Sequence, residues 1–267
     1  MIELKNIAIT FNPGTADENA ALKHIDLTIN KGDFITVIGS NGAGKSTLYN
    51  VIAGTLSPTA GTISLSMNGS VRDITKDEEY KRALYIGRIF QNPLLGTAGK
   101  MSLEDNMMIC SKKGWKGLKI GLNARTRSYF RSELKQLNMG LEERLSDNVE
   151  QFSGGQRQAL TLLMATLVKP NLLLLDEHTA ALDPKTAAKV LELTQQIVAE
   201  DQLTTLMITH NMKDALRYGN RLIMLHEGRI LFDVPQEKKE GLTTRDLLSM
   251  FEQAAGSELA NDSLLLS

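Results

Sequence analysis

The 267-residue sequence predicts an α/β fold with a mostly parallel sheet, and three observations lead there. Residues 34–38 have the β-branched and aromatic content of a buried strand, and they run straight into the glycine-rich loop Gly39-Ser40-Asn41-Gly42-Ala43-Gly44-Lys45-Ser46-Thr47. Beyond that loop Leu48, Val51 and Ile52 recur at helical spacing. Residues 172–175 are four leucines without alternation, which reads as a strand buried on both faces. After it, Ala187, Val190, Leu191, Ile197 and Val198 form one helical stripe within residues 185–199, and residues 203–209 read as the next strand. Strand, helix, strand at this spacing is the grammar of a parallel sheet.

The other elements follow in order. Residues 2–9, 22–29, 61–67 and 83–90 read as strands, so the first third of the chain is rich in β structure. The signal then turns helical at 103–110, 125–137 and 156–168, the last with Leu160, Leu163, Met164 and Leu167 at three- and four-residue steps. Residues 92–167 read as a mostly helical subdomain. Two short strands, 221–226 and 229–232, flank the turn Glu227-Gly228. Thr243-Thr244-Arg245-Asp246 resembles a capping box ahead of Leu247, Leu248 and Phe251, which predicts a last short helix over about 243–255. Residues 256–267 are expected to fray.

Composition excludes several classes of function. Lys plus Arg number 30 against 31 Asp plus Glu, so no global basic field points to nucleic acid, and no specific nucleic-acid partner is expected. The single cysteine, Cys110, excludes an internal disulfide, suits a reducing cytosol and reads as a small core residue. The N-terminus lacks the basic and apolar regions of a signal peptide. No apolar run approaches the roughly 18 to 20 residues that span a bilayer, so work at a membrane would require docking onto another protein.

The loop at 39–47 carries the most chemistry. Its glycines let successive N–H groups turn inward onto phosphates, and the helix that opens behind it adds unpaired N–H groups and the positive end of its dipole. In a nucleotide-binding loop of this pattern Lys45 reaches the β- and γ-phosphates and the Ser46 hydroxyl takes a position on Mg²⁺. The leucine strand ends in Asp176-Glu177, which puts two carboxylates at the carboxyl edge of the sheet. Asp176 suits Mg²⁺, and Glu177 suits activation of an attacking water.

Upstream, Phe152-Ser153-Gly154-Gly155-Gln156 opens the helix at 156–168. Ser153 is a good N-cap, and the two glycines bare backbone N–H groups for an anion. With Ser153-Gly154-Gly155-Gln156 in place, the chain resembles the ATP-binding subunit of ABC transporters, over residues 2–232. The resemblance implies a nucleoside-triphosphatase (P-loop NTPase) core with a mostly parallel sheet, an N-terminal antiparallel β subdomain and an inserted helical subdomain. It implies one ATPase domain over residues 1–255, with the core at 1–91 and 168–232 and the helical subdomain at about 92–167. It also implies a head-to-tail homodimer holding two ATP and Mg²⁺, in which each Ser153–Gln156 segment closes on the other copy's loop. Gln91 matches the glutamine that meets Mg²⁺ and the attacking water, Asp183 the loop that lies across the dimer interface, and His210 the histidine that senses the γ-phosphate. Phe11 stands where the family places an aromatic ring on adenine.

Two departures stand out: His178 follows Glu177 where the family more often has Pro, and Phe152 precedes the signature where Leu is more usual. Residues 177–184 look similar to a bacterial importer subgroup with amino-acid-like substrates. The resemblance therefore implies a subunit on the cytoplasmic face of the membrane, bound to permease subunits and served by an extracytoplasmic substrate-binding protein. The alternatives are a soluble ATPase of the same superfamily or the ATPase subunit of an exporter. Lys112, Lys113, Lys116, Lys119, Arg125, Arg127 and Arg131, with Trp115 and Phe130 among them, read either as a solvated loop or as a contact with anionic headgroups or a membrane partner.

Overall fold

The computed structural model describes residues 1–67, 69–111 and 122–255. Its strands are β1 (Ile2–Phe11), β2 (Asn19–Ile29), β3 (Phe34–Ile38), β4 (Ala60–Met67), β5 (Ser70–Asp73), β6 (Ile86–Ile89), β7 (Leu172–Asp176), β8 (Thr205–Ile208), β9 (Arg221–His226) and β10 (Arg229–Pro235). Its helices are α1 (Lys45–Ala53), α2 (Glu79–Arg82), α3 (Leu103–Cys110), α4 (Ala124–Lys135), α5 (Gly154–Thr166), α6 (Pro184–Asp201), α7 (Met212–Arg217), α8 (Gln236–Lys239) and α9 (Thr244–Ala255). They fall into two compact units, one of residues 1–83 together with 204 onward, the other of residues 84–203.

In the first unit, β1 pairs antiparallel with β2 and with β4, and β5 extends the sheet beyond β4. Ile2, Leu4, Ile7 and Ile9 all face the core, although the step from Leu4 to Ile7 breaks the two-residue alternation of a strand. A bulge repairs the phase: the register shifts between Leu4 and Ile7, and Asn6 takes a left-handed φ of 51°. Gly61 lies opposite at φ +91°, where an added Cβ would stand 2.4 Å from the Asn6 carbonyl oxygen. In the same unit β3 runs parallel to β8 on one side and β9 on the other, and β10 returns antiparallel to β9. All five β3 residues are buried, as a two-faced strand requires. Helix α1 ends at Gly54 in the left-handed region, and the buried Arg82 guanidinium donates to the carbonyls of Val51 and Ile52 there, and to those of Ile74, Thr75 and Asp77.

In the second unit β6 and β7 are parallel, with Leu172 to Leu175 fully buried. Helix α5 buries Ala159, Leu160, Leu162, Leu163 and Met164, and α4 contributes Phe130 and Leu134 to the core. Beneath the end of β7, His178 is buried, and its Nε2 lies 3.1 Å from Thr194 Oγ1. The Thr194 hydroxyl donates to the Val190 carbonyl at 2.8 Å, so it accepts from His178, which carries its proton on Nε2.

Several expectations need correction. Residues 83–90 form a strand only at 86–89, because 79–82 coil into α2 and the Tyr85 carbonyl instead accepts from Asn171 and Leu172. The helix expected from residue 156 starts at Gly154, directly after its Ser153 cap. Cys110 is half-buried at the end of α3 rather than a core residue. Phe130 is fully buried, so it offers nothing to a membrane surface, and Arg127 is engaged by Glu104 through two hydrogen bonds at 2.7 and 3.0 Å. Lys112, Lys113, Trp115, Lys116 and Lys119, and the tail at 256–267, lie outside the described residues.

Two stability predictions follow from this packing. Burial holds the His178 imidazole at about 4, below its ordinary 6.5. The unfolded chain therefore binds the proton more readily, so stability is fully present above about pH 6.5 and falls by up to roughly 3 kcal/mol as pH drops towards 4. Urea unfolding of His178→Gln, which cannot titrate, should lack that part of the decline. Gly61→Ala should cost about 2 kcal/mol or more, seen as a lower urea midpoint at unchanged slope.

Candidate functional site

The loop after β3 is shaped by glycines with no room for a side chain. Gly39 sits at φ +148°, and an added Cβ would lie 2.2 Å from the Leu225 carbonyl oxygen; at Gly44, φ +98°, it would lie 2.7 Å from that of Ala21. Gly44 is also the residue that caps α1, and it has no side chain with which to bond the first-turn N–H groups. An uncapped helix start behind a tight glycine loop is a site for an anion. Lys45 is buried, and its ammonium donates to the carbonyls of Gly39 at 2.6 Å and Ser40 at 3.0 Å, across the mouth of the loop. Asn41, Gly42 and Ser46 are exposed, and Ala43 and Thr47 complete the turn into α1.

Two further expected residues belong to the same unit. Val37 of β3 pairs with Ile208 of β8, so His210, two residues past Ile208, leaves the sheet at the same carboxyl end as the loop. His210 is exposed, and its neighbour Asn211 caps α7 through the N–H groups of Lys213 and Asp214. Burial raises the Asp214 carboxyl, with Arg217 and His210 pulling it back down. Phe11 ends β1 opposite Asn19, one pair beyond Thr10 and Ala20, and is 37% exposed. The Ala21 carbonyl that confines Gly44 follows directly on that ladder.

The second unit gathers the other set. Asp176 ends β7 half-buried, and Glu177 follows at φ 44°, a left-handed conformation costly for a residue with a side chain. Buried His178 anchors that sharp turn. Gln91 reaches Glu177, its Nε2 lying 3.5 Å from Oε2. Ser153 and Gln156 form a full capping box: Ser153 Oγ accepts from the Gln156 N–H at 3.2 Å, and Gln156 Oε1 accepts from the Ser153 N–H at 3.1 Å. Gly154 and Gly155 face the start of α6; a Cβ on Gly155 would lie 2.2 Å from Thr186 Cγ2. Asp183 caps α6 at the same place, accepting from the Thr186 N–H at 3.1 Å, and Thr186 holds its carboxyl below the ordinary carboxylate value. Phe152 is buried under the Arg144 guanidinium, 4.5 Å from its ring centre.

The structure thus assembles the loop, Phe11 and His210 in one unit, and Gln91, Asp176, Glu177, Ser153 to Gln156 and Asp183 in the other. Sequence reasoning read Glu227-Gly228 only as the turn between two strands and missed that it walls the glycine loop, where the Gly228 N–H donates to the Ala43 carbonyl at 3.1 Å. The signal for that turn was the pair itself, both at positive φ.

Comparison with known proteins shows the family. The family described as ABC transporter matches residues 22–180. The chain is 43% identical over 255 residues to the tyrosine transport ATP-binding protein of Clostridioides difficile strain R20291, covering 95% of this chain and 100% of that one. It is 34% identical over 253 residues to a methionine import ATP-binding protein of Enterococcus faecalis strain V583, covering 95% of this chain and 65% of that one. A dimeric ATP-binding cassette of Methanocaldococcus jannaschii, solved in a post-hydrolysis state with ADP and Pi, superposes with a TM-score of 0.72 at 29% identity, over 88% of this chain and 99% of that one. A family match across more than half of the chain, with 43% identity over nearly all of it, leads to one conclusion: the chain belongs to the ABC transporter family, as a subunit that binds and hydrolyses ATP.

Proposed function

We propose that the chain powers the import of a small amino-acid-like solute, working as a head-to-tail homodimer with two ATP at its interface. The observation that carries this reading is that one chain holds two phosphate-type helix starts, α1 behind the glycine loop and α5 behind Ser153. One copy has a use for only one of them per nucleotide, whereas two copies related by a two-fold axis use both. The likeness to tyrosine and methionine transport proteins supports the substrate class. In this reading residues 1–91 and 168–232 act as the ATPase core and residues 92–167 as the helical subdomain that faces the partner.

The roles follow from the chemistry of each group. Phe11 stacks on adenine, the N–H groups of residues 39–47 surround the phosphates, and Lys45 leaves its carbonyl partners for the β- and γ-phosphate oxygens. Glu177 polarises a water for in-line attack, Gln91 orients that water, and His210 holds the γ-phosphate. Ser153, Gly154, Gly155 and Gln156 of the second copy close the site, and Asp183 lies at the interface. Ser46, Gln91 and Asp176 offer a hydroxyl, an amide and a carboxylate oxygen, all hard donors exposed enough to bind, and that set suits Mg²⁺. When bound, the ion neutralises charge on the β- and γ-phosphates.

Among the described residues no helix is long and apolar enough to cross a membrane. Attachment is therefore assigned to permease subunits, on the cytoplasmic face, with an extracytoplasmic binding protein delivering the solute.

Glu177→Gln should keep ATP binding, slow turnover by about 10²-fold or more, and trap a dimer on gel filtration. Parent-like hydrolysis would show that the base lies elsewhere. Lys45→Ala should lose nucleotide binding in a fluorescent-ATP titration, and unchanged affinity would remove the loop from the site. Purified from membranes, the chain should bring a permease with it; fractionation without any membrane protein would favour a soluble ATPase.

A further inference from the structure

The root of the glycine loop is packed by the last helix of the chain. Ile38, the residue before Gly39, is 1% exposed and shares one apolar cluster with Leu247 and Phe251 of α9, alongside Met212, Ala215, Leu222, Met224 and Val234. Thr243 and Asp246 cap that helix reciprocally, with the Asp246 N–H on Thr243 Oγ1 at 3.2 Å and the Thr243 N–H on Asp246 Oδ2 at 2.8 Å, which fixes where α9 begins. The Phe251 ring also meets His226 edge to face, with centroids 5.4 Å apart and planes at 88°. His226 belongs to the segment that walls the loop: the Leu225 carbonyl confines Gly39, and the Gly228 N–H holds the Ala43 carbonyl.

His226 is poorly held by anything polar. Its Nδ1 is buried without a hydrogen-bond partner among the described residues, and its Nε2 lies 4.0 Å from Glu227 Oε1, whose side chain is 72% exposed. Packing against Phe251 is thus a principal restraint on the imidazole, and through it on the Leu225–Gly228 turn. The same aromatic residue touches the cluster beneath Ile38, so α9 braces the loop from its strand side and from its wall.

We propose that Phe251 is a positioning residue for nucleotide binding, and that α9 acts as a brace holding the phosphate loop at the spacing its ligand needs. Phe251 touches no nucleotide; it acts through Ile38 and His226. The inference rests on the assignment of residues 39–47 as the ATP site. It makes the C-terminal helix a handle on ATP affinity: anything that lifts α9 would loosen the loop without altering Lys45, Glu177 or His210.

The test compares Phe251→Ala, Phe251→Leu and, as a control of the other sheet, Leu65→Ala, all in the full chain. ATP affinity is read by fluorescent-nucleotide titration, loop opening by hydrogen exchange of residues 39–44, and stability by urea unfolding. Phe251→Ala should weaken ATP binding by about tenfold or more and speed exchange in the loop, because small displacements of a binding group cost disproportionately. Phe251→Leu should recover most of the affinity, while Leu65→Ala should lose stability and keep parent affinity. A folded Phe251→Ala protein with parent affinity and parent exchange would overturn the proposal, and so would equal weakening by Leu65→Ala. Failure of the unsubstituted chain to bind ATP would overturn the underlying site assignment instead.

Discussion

Backbone against backbone at the glycine loop is the constraint on which the first unit depends. Gly39 and Gly44 exist as glycines because the Leu225 and Ala21 carbonyls stand where their side chains would be. Gly228 is confined in turn by Ala21, with an added Cβ 2.7 Å from that oxygen, and its own carbonyl accepts from the Lys23 N–H at 2.7 Å. Three chain segments far apart in sequence therefore meet at main-chain distance around one helix start. Their N–H groups acquire fixed directions before any ligand arrives, and preorganised donors stabilise phosphate charge without reorganising at the moment of reaction. The buried Arg82 fixes the far end of α1, so the helix that carries Lys45 and Ser46 is held at both ends.

The second unit uses the same device with different residues. Gly155 lets α5 approach the start of α6 so closely that only Thr186 fits between them, and Asp183 caps α6 at that point. Movement of the Ser153 segment would therefore carry Asp183 with it. Glu177 accepts an unfavourable backbone conformation, which neighbouring burial of His178 holds in place. That explains how His178 stands where proline is more usual in the family: a neutral imidazole bonded to Thr194 supplies the rigidity that a ring-closed backbone would.

The residues that the proposed chemistry would need were legible in the sequence as a pattern. Lys45 and Ser46 after the glycines, the Asp176-Glu177 pair after four leucines, and Ser153 with Gln156 each need a given side chain at a given spacing, and spacing is what a sequence records. The βαβ order and the long helices were equally plain. Contacts made by main-chain atoms were not, because a carbonyl leaves no mark on composition; the Leu225–Gly228 wall and the Arg82 anchor belong to this class. Helices α2 and α8, of four residues each, and α7, of six, have too few turns to show a period. The bulge at Asn6 hid as a broken alternation, and β5 as four exposed residues without an apolar face.

In the proposed reading, two phosphate-type helix starts in one chain make each copy half of two sites, and a mixing experiment tests that most directly. Lys45→Ala lacks a working loop and Ser153→Arg a working signature, so each should be inactive alone. In a mixed dimer the intact loop of one copy meets the intact signature of the other, and an equal mixture should regain about a quarter of the parent ATPase rate under random pairing. A mixture no more active than its separate components would contradict a composite site and return catalysis to the single chain.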